Sequence, residues 1–99
     1  MKITYLDHSG FAVEYKKYVL IFDWYKGKLP EFDSEKEIYV FSSHSHYDHF
    51  DRKIFELENI YPNVRYVLSA DITEKLVPSK VWFVIADKEY RIGNLKVQT

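Results

Sequence analysis

Three of the four histidines in this 99-residue chain fall within six positions, His44-Ser45-His46-Tyr47-Asp48-His49, together with one aspartate. In an extended segment residues two apart project to one side. His44 and His46 can therefore address one ion while Asp48 and His49 approach it, or a neighbour, from the turn that follows. The chain has no cysteine, which removes thiolate ligands, disulfides and a cysteine nucleophile together. Imidazole nitrogens and a carboxylate are then the ligand set expected for zinc, with manganese and iron also suited. An ion held this way draws the pKa of a bound water toward neutrality and polarises a carbonyl or phosphoryl oxygen, so the reaction class is hydrolysis. A solvent-exposed loop whose histidines only hydrogen-bond is the competing reading. It suits a single histidine or an HxH pair better than four potential ligands in six residues.

The elements that must position these residues are mostly strands. Lys2 to Leu6, Phe11 to Tyr15 and Tyr18 to Phe22 are rich in β-branched and aromatic residues and are separated by turn chemistry, which predicts an antiparallel meander. The run YVLIF (18–22) has the composition of a strand buried on both faces, and Asp23 closes it. WYKGKLPEFDSEK (24–36) carries glycine, proline and scattered charge without periodicity and reads as a surface loop. EIYVFS (37–42) is a second buried strand, so the histidine cluster sits on the loop leaving its carboxyl end, where ligands tend to bind in layered α/β proteins.

Beyond the cluster, Asp51 is placed to cap a short helix over Arg52 to Glu58, with Ile54, Phe55 and Leu57 facing inward. Arg65 to Ser69 reads as a third buried strand. A brief helix from Asp71 or Thr73 through Leu76 is ended by Pro78. Lys80 to Ile85, Glu89 to Ile92 and Leu95 to Gln98 read as strands divided by the Asp87-Lys88 and Gly93-Asn94 turns.

Fourteen basic residues against fifteen acidic give a formal net charge of -1, with no basic arm or polybasic anchor, so neither nucleic-acid nor membrane-surface binding is expected. No segment approaches the roughly 18 apolar residues of a membrane span, and the amino terminus lacks a signal-peptide pattern, which makes a cytoplasmic location the default. Hydrophobic residues at 46% and aromatic residues at 18% provide enough apolar area for one folded unit over residues 1–99.

The hexapeptide His44-Ser45-His46-Tyr47-Asp48-His49 resembles the HxHxDH signature of the metallo-β-lactamase superfamily. The setting is similar too: an opening β-meander, MKITYLDHSGFAVEYKKYVLIFD, an aspartate ending the preceding strand, then strand, motif and helix. Within the superfamily that opening looks like the lactonase-like and phosphodiesterase-like hydrolases. The resemblance covers most of the chain, but only the hexapeptide is highly specific.

It implies an α+β fold, the N-terminal half of a four-layer αββα sandwich with a mostly antiparallel or mixed sheet and short helices on one face. It implies that His44 and His46 hold a first zinc ion and Asp48 and His49 a second, with Asp48 also orienting the attacking hydroxide as the catalytic carboxylate. Asp23 matches the family's first acidic position, which supports the metal loop from behind, although an ordinary turn residue would look the same. His8 falls where related sequences often have Gly-His, but Asp7 stands here in place of the glycine. His8 is placed either at the floor of the site, touching substrate, or simply satisfied in its turn.

The superfamily's remaining ligands, two histidines and a bridging aspartate, would follow the point where this sequence stops. No histidine follows His49, and Asp71 and Asp87 lie in no recognisable downstream motif. Two protein ligands per ion mean weak binding, because a catalytic zinc normally has three. NLKVQT stops inside an expected strand, which points to truncation. A half-fold would also leave one apolar sheet face open, to be covered by the missing C-terminal half or by a second copy in a homodimer. The expected function is hydrolysis of a small-molecule ester, lactone or phosphoester. The alternative is a non-catalytic binding or assembly module with a partial metal site, and a nuclease ranks behind both because the chain offers no basic groove.

Overall fold

The computed structural model describes residues 1–7, 10–43, 51–72 and 81–99. Strands β1 (Lys2–Asp7), β2 (Gly10–Tyr15), β3 (Tyr18–Phe22), β4 (Glu37–Ser42), β5 (Val64–Ser69) and β6 (Val81–Val84) lie side by side in sequence order in one six-stranded sheet. The first three pair antiparallel, as the turn residues between them predict. β3 to β6 pair parallel, so the sheet is mixed. A separate antiparallel hairpin joins β7 (Glu89–Ile92) to β8 (Leu95–Gln98).

Parallel neighbours need crossovers, and the described parts of the crossovers pack on one face. There Ala12, Val19, Ile21, Ile38, Val40, Val64, Tyr66 and Leu68 project from the strands and are buried. Ile54, Phe55 and Leu57 of a 3-10 helix (Arg52–Asn59) cover them. Asp51 caps that helix as expected, its side chain accepting a hydrogen bond from Lys53 N at 2.8 Å. The segment is helical where a short helix was anticipated, but its tighter i to i+3 winding carries no sequence signal in so short a run.

The 24–36 segment is not simply the surface loop its composition predicts. Phe32 is buried, and Trp24 and Leu29 pack against the same core. Phe32 also tilts against the Tyr61 ring at 6.0 Å, and its backbone N–H donates to the Tyr61 hydroxyl at 3.2 Å. Three spaced apolar side chains anchor the loop although no periodicity announces them. The helix expected to start at Asp71 or Thr73 falls mostly outside the described residues.

The second face, expected to be left for a missing C-terminal half or a second copy to cover, is covered in part by the chain's own hairpin. Apolar residues of β7 and β8 sit opposite one another, Tyr90 with Val97 and Ile92 with Leu95, while Arg91 faces Lys96. This places all four apolar side chains on one side of the hairpin, where they pack with Tyr39, Val67, Tyr18, Leu20, Phe41, Trp82 and Val84. YVLIF is accordingly buried unequally: Val19 and Ile21 are fully enclosed, and Tyr18, Leu20 and Phe22 are half-buried. The cover stops at β3. Ile3, Tyr5, Phe11 and Tyr15, on the same face of β1 and β2, remain exposed.

Polar contacts fix the hairpin to the sheet at the amino ends of β4 and β5. The Glu37 carboxylate accepts hydrogen bonds from Asn94 Nδ2 at 3.0 and 3.1 Å, from Arg65 Nη1 at 3.3 Å and from the Tyr39 hydroxyl at 3.3 Å. Asn94 N in turn donates to the Tyr39 hydroxyl at 3.1 Å. Gly93 has φ 58°, and a Cβ there would collide with the Tyr39 hydroxyl and the Arg65 side chain. Only glycine lets this turn sit so close to the cluster.

Burial raises the pKa of both Tyr39 and Tyr66 above the ordinary phenol value, since an unsolvated phenolate is disfavoured. The charge of Glu58 adds to the rise at Tyr66. A folded pKa above the unfolded one means the folded chain holds these protons more tightly. Their contribution to stability is complete below the unfolded value and is lost as pH rises through the folded one. The urea midpoint is therefore expected to fall once pH passes about 10, and to fall less steeply in Tyr39→Phe.

Candidate metal centre

Parallel register brings the carboxyl ends of β3 to β6 to one edge, pairing Phe22 with Phe41, Ser42 with Leu68 and Ser69 with Val84. Pairing continues one residue past the strands, through Asp23 N to Phe41 O at 2.8 Å and Ala70 N to Val84 O at 2.9 Å. The chain leaves this edge at Ser43 and runs directly into the hexapeptide that begins at His44.

Asp23 holds that exit. Its φ of 48° turns the backbone sharply out of β3, a left-handed conformation that aspartate tolerates better than most residues. Gly10 lets β2 approach closely, since a Cβ there would lie 3.1 Å from the Asp23 carbonyl oxygen. So placed, Asp23 Oδ1 accepts the Ser43 backbone N–H at 2.7 Å and Oδ2 accepts the Ser43 hydroxyl at 2.8 Å. Hydrogen bonds to a carboxylate are stronger than neutral ones, so this pair fixes both the backbone and the side chain of the residue before the motif.

A cleft of about 460 Å³ opens at the same edge, between the sheet and the end of the hairpin. Phe22 and Phe41, stacked with ring centroids 4.9 Å apart, form one wall, and Val67, Val84 and Val97 line it further. Asp23, Ser43, Ser69 and Thr99 supply its polar groups. The Ser42 hydroxyl beneath the edge is buried and has no hydrogen-bond partner among the described residues. No serine here sits in the strained Gly-x-Ser-x-Gly turn that marks a nucleophile.

All four histidines, His8, His44, His46 and His49, lie outside the described residues, as does Asp48. Of the candidate metal-site residues, Asp23 is therefore the one whose surroundings are seen. Among the described residues no group of three or more histidine, aspartate or glutamate side chains could hold a metal. No helix among them is long and apolar enough to cross a membrane. The cleft walls were not singled out from sequence. The available signal was the period of two that puts Phe22, Phe41 and Val67 on one face, combined with the aligned strand ends.

No family model and no solved structure matches the chain. Over 54 residues, 54% of this chain, the sequence is 44% identical to the UPF0173 metal-dependent hydrolase NEQ378 of Nanoarchaeum equitans (strain Kin4-M). The chain spans 22% of that relative's length. It is thus similar, over part of its length, to a protein described as a metal-dependent hydrolase.

Proposed function

We propose that residues 1–99 form one unit, the N-terminal half of a metallo-β-lactamase-type hydrolase that binds zinc and cleaves an ester, lactone or phosphoester. The observation that carries this reading is the 44% identity to a metal-dependent hydrolase. The HxHxDH hexapeptide and the Asp23 clamp immediately before it agree with the reading.

The donor set fits zinc: three imidazoles and a carboxylate stand within six residues of a chain without cysteine. His44 and His46 would hold one ion, and Asp48 and His49 would hold the other when two are present. Zinc bound there supplies positive charge that polarises a substrate oxygen and acidifies water. Asp48 would also orient the attacking hydroxide through its carboxylate. Asp23, whose two oxygens accept from Ser43, positions the strand end that leads into the motif. The cleft holds the organic part of the substrate beside the motif. Further ligands come from the rest of a longer protein or from a second copy, and the same partner covers Ile3, Tyr5, Phe11 and Tyr15.

Zinc retained after dialysis is the test, measured by elemental analysis on the wild type and on His46→Ala. Once the further ligands are supplied, by the longer protein or by a second copy, the wild type is expected to retain zinc and His46→Ala to lose it, and chelator is expected to abolish any hydrolysis. Equal zinc in both proteins would overturn the ligand assignment. Zinc held without turnover of any ester, lactone or phosphoester would favour a binding module over an enzyme.

A further inference from the structure

Two contacts that start from adjacent residues of one loop bound the hexapeptide in the chain. Asp23 holds its entry through Ser43. Trp24 reaches its exit, because the Lys53 ammonium lies over the Trp24 ring, 4.7 Å from the centroid and inside the roughly 6 Å at which a ring face attracts a cation. The backbone N–H of the same Lys53 donates to the Asp51 carboxylate at 2.8 Å, so the contact bears on the helix cap that follows the motif. Trp24 is itself held from two sides. Its indole N–H donates to the Gly27 carbonyl oxygen at 2.9 Å, and its ring packs against the core that Ile54, Phe55 and Leu57 complete. Gly27 has φ 90°, and a Cβ there would collide with the Leu6 carbonyl oxygen, so glycine lets this turn rest on β1. The loop meets the chain beyond the helix a second time, where Phe32 N–H donates to the Tyr61 hydroxyl at 3.2 Å. Two separated contacts restrain rotation of the helix as well as its translation.

We infer that Trp24 and Lys53 are positioning residues for the metal motif, holding its exit as Asp23 and Ser43 hold its entry, so that the separation of its two ends is set before an ion binds. This rests on the hydrolase reading above for the metal, but the brace is measurable without one. Ligands whose supporting chain is already fixed lose less freedom on binding, which raises affinity without any contact to the ion. Lys53→Met keeps the unbranched stem and the Asp51 cap and removes the charge. Trp24→Leu removes the ring, and Trp24→Phe keeps a ring face of weaker attraction. Trp24 also packs on the core, so Lys53→Met carries the test if Trp24→Leu fails to fold.

Amide hydrogen exchange of the metal-free full chain, read on the peptide covering 44–50, should speed up about three- to tenfold in Lys53→Met and in Trp24→Leu. The amides of β3 and β4 should be unchanged in Lys53→Met, whereas a general loss of stability would speed exchange throughout the sheet. Zinc titrated into the full chain should bind more weakly by a similar factor, and Trp24→Phe should fall between the wild type and Trp24→Leu in both measurements. Exchange over 44–50 that is the same in the wild type and Lys53→Met would overturn the inference, and so would a Trp24→Phe variant no better than Trp24→Leu. Zinc affinity lowered by His46→Ala but untouched by Lys53→Met and Trp24→Leu would also sink it while leaving the hydrolase reading intact. Faster exchange in the variants with no zinc bound by any of the proteins would sink that reading and leave the brace standing.

Discussion

Asp23→Ala is expected to lower the unfolding free energy by roughly 2 to 4 kcal/mol and, in the proposed enzyme, to weaken zinc binding by about ten- to a hundredfold. Two effects add. Ser43 loses both hydrogen bonds to a carboxylate, at 2.7 and 2.8 Å, in a partly exposed setting where each is discounted by solvent. Alanine must also occupy a φ of 48°, which costs about 1 kcal/mol that aspartate largely avoids. Asp23→Asn separates the two. Asparagine tolerates the same backbone and its amide oxygen still accepts from Ser43 N, so more than half of the stability should return, as measured by urea denaturation. If Asp23→Ala and Asp23→Asn were equally mild, the clamp would be incidental. If zinc affinity were unchanged in both, Asp23 would have no role in supporting the motif.

Ile38→Ala should cost about 2 to 5 kcal/mol, a large part of the roughly 5 to 15 kcal/mol that holds such a domain together. Ile38 is fully buried in β4, the strand that leads into the motif, and it pairs with Val19 on β3 and Val64 on β5. Its side chain belongs to the cluster closed by Ile54, Phe55 and Leu57 of the 3-10 helix. Truncation leaves a cavity bounded by a sheet on one side and a short helix on the other, and sheet backbone cannot collapse into it. Ile38→Val, which removes one methylene, should cost only about 0.5 to 1.5 kcal/mol. Thermal and urea unfolding of both variants checks the ratio. Equal losses would mean that the deficit does not arise from cavity volume.

The strands were legible because their signals are local. Runs such as YVLIF and EIYVFS fill five or six positions with β-branched and aromatic residues, and the turns between elements announce themselves by type. Boundaries moved by one residue where pairing, not composition, decides: β1 runs on to Asp7 and β2 starts at Gly10 because those two residues pair across a bulge. Ile85 reads as strand but ends outside β6, its N–H going to the Tyr90 hydroxyl at 3.0 Å. The hexapeptide reads as a donor set for the same local reason, and its residues lie outside the described ones. Asp23 was singled out through the resemblance alone, and its partner Ser43 was not foreseen, because the clamp joins residues 20 apart in sequence through the parallel register of β3 and β4. Phe32 escaped notice because its burial depends on Tyr61, 29 residues away. The hairpin's cover of the second face was readable in principle, since Tyr90, Ile92, Leu95 and Val97 alternate with polar residues, but alternation does not say against which surface a face packs.

The Glu37 cluster and the Asp23 clamp stand at opposite ends of the same strand. From Ile38 to Ser43 the backbone of β4 extends roughly 16 Å, about twice the Debye length at physiological ionic strength. Charges altered at the cleft are therefore screened from the carboxylate that fastens the hairpin, and among the described residues the two ends share no side-chain partner. Their effects should combine additively. Residues at the cleft end of β4 can therefore be exchanged without disturbing how the hairpin is fastened at the other end.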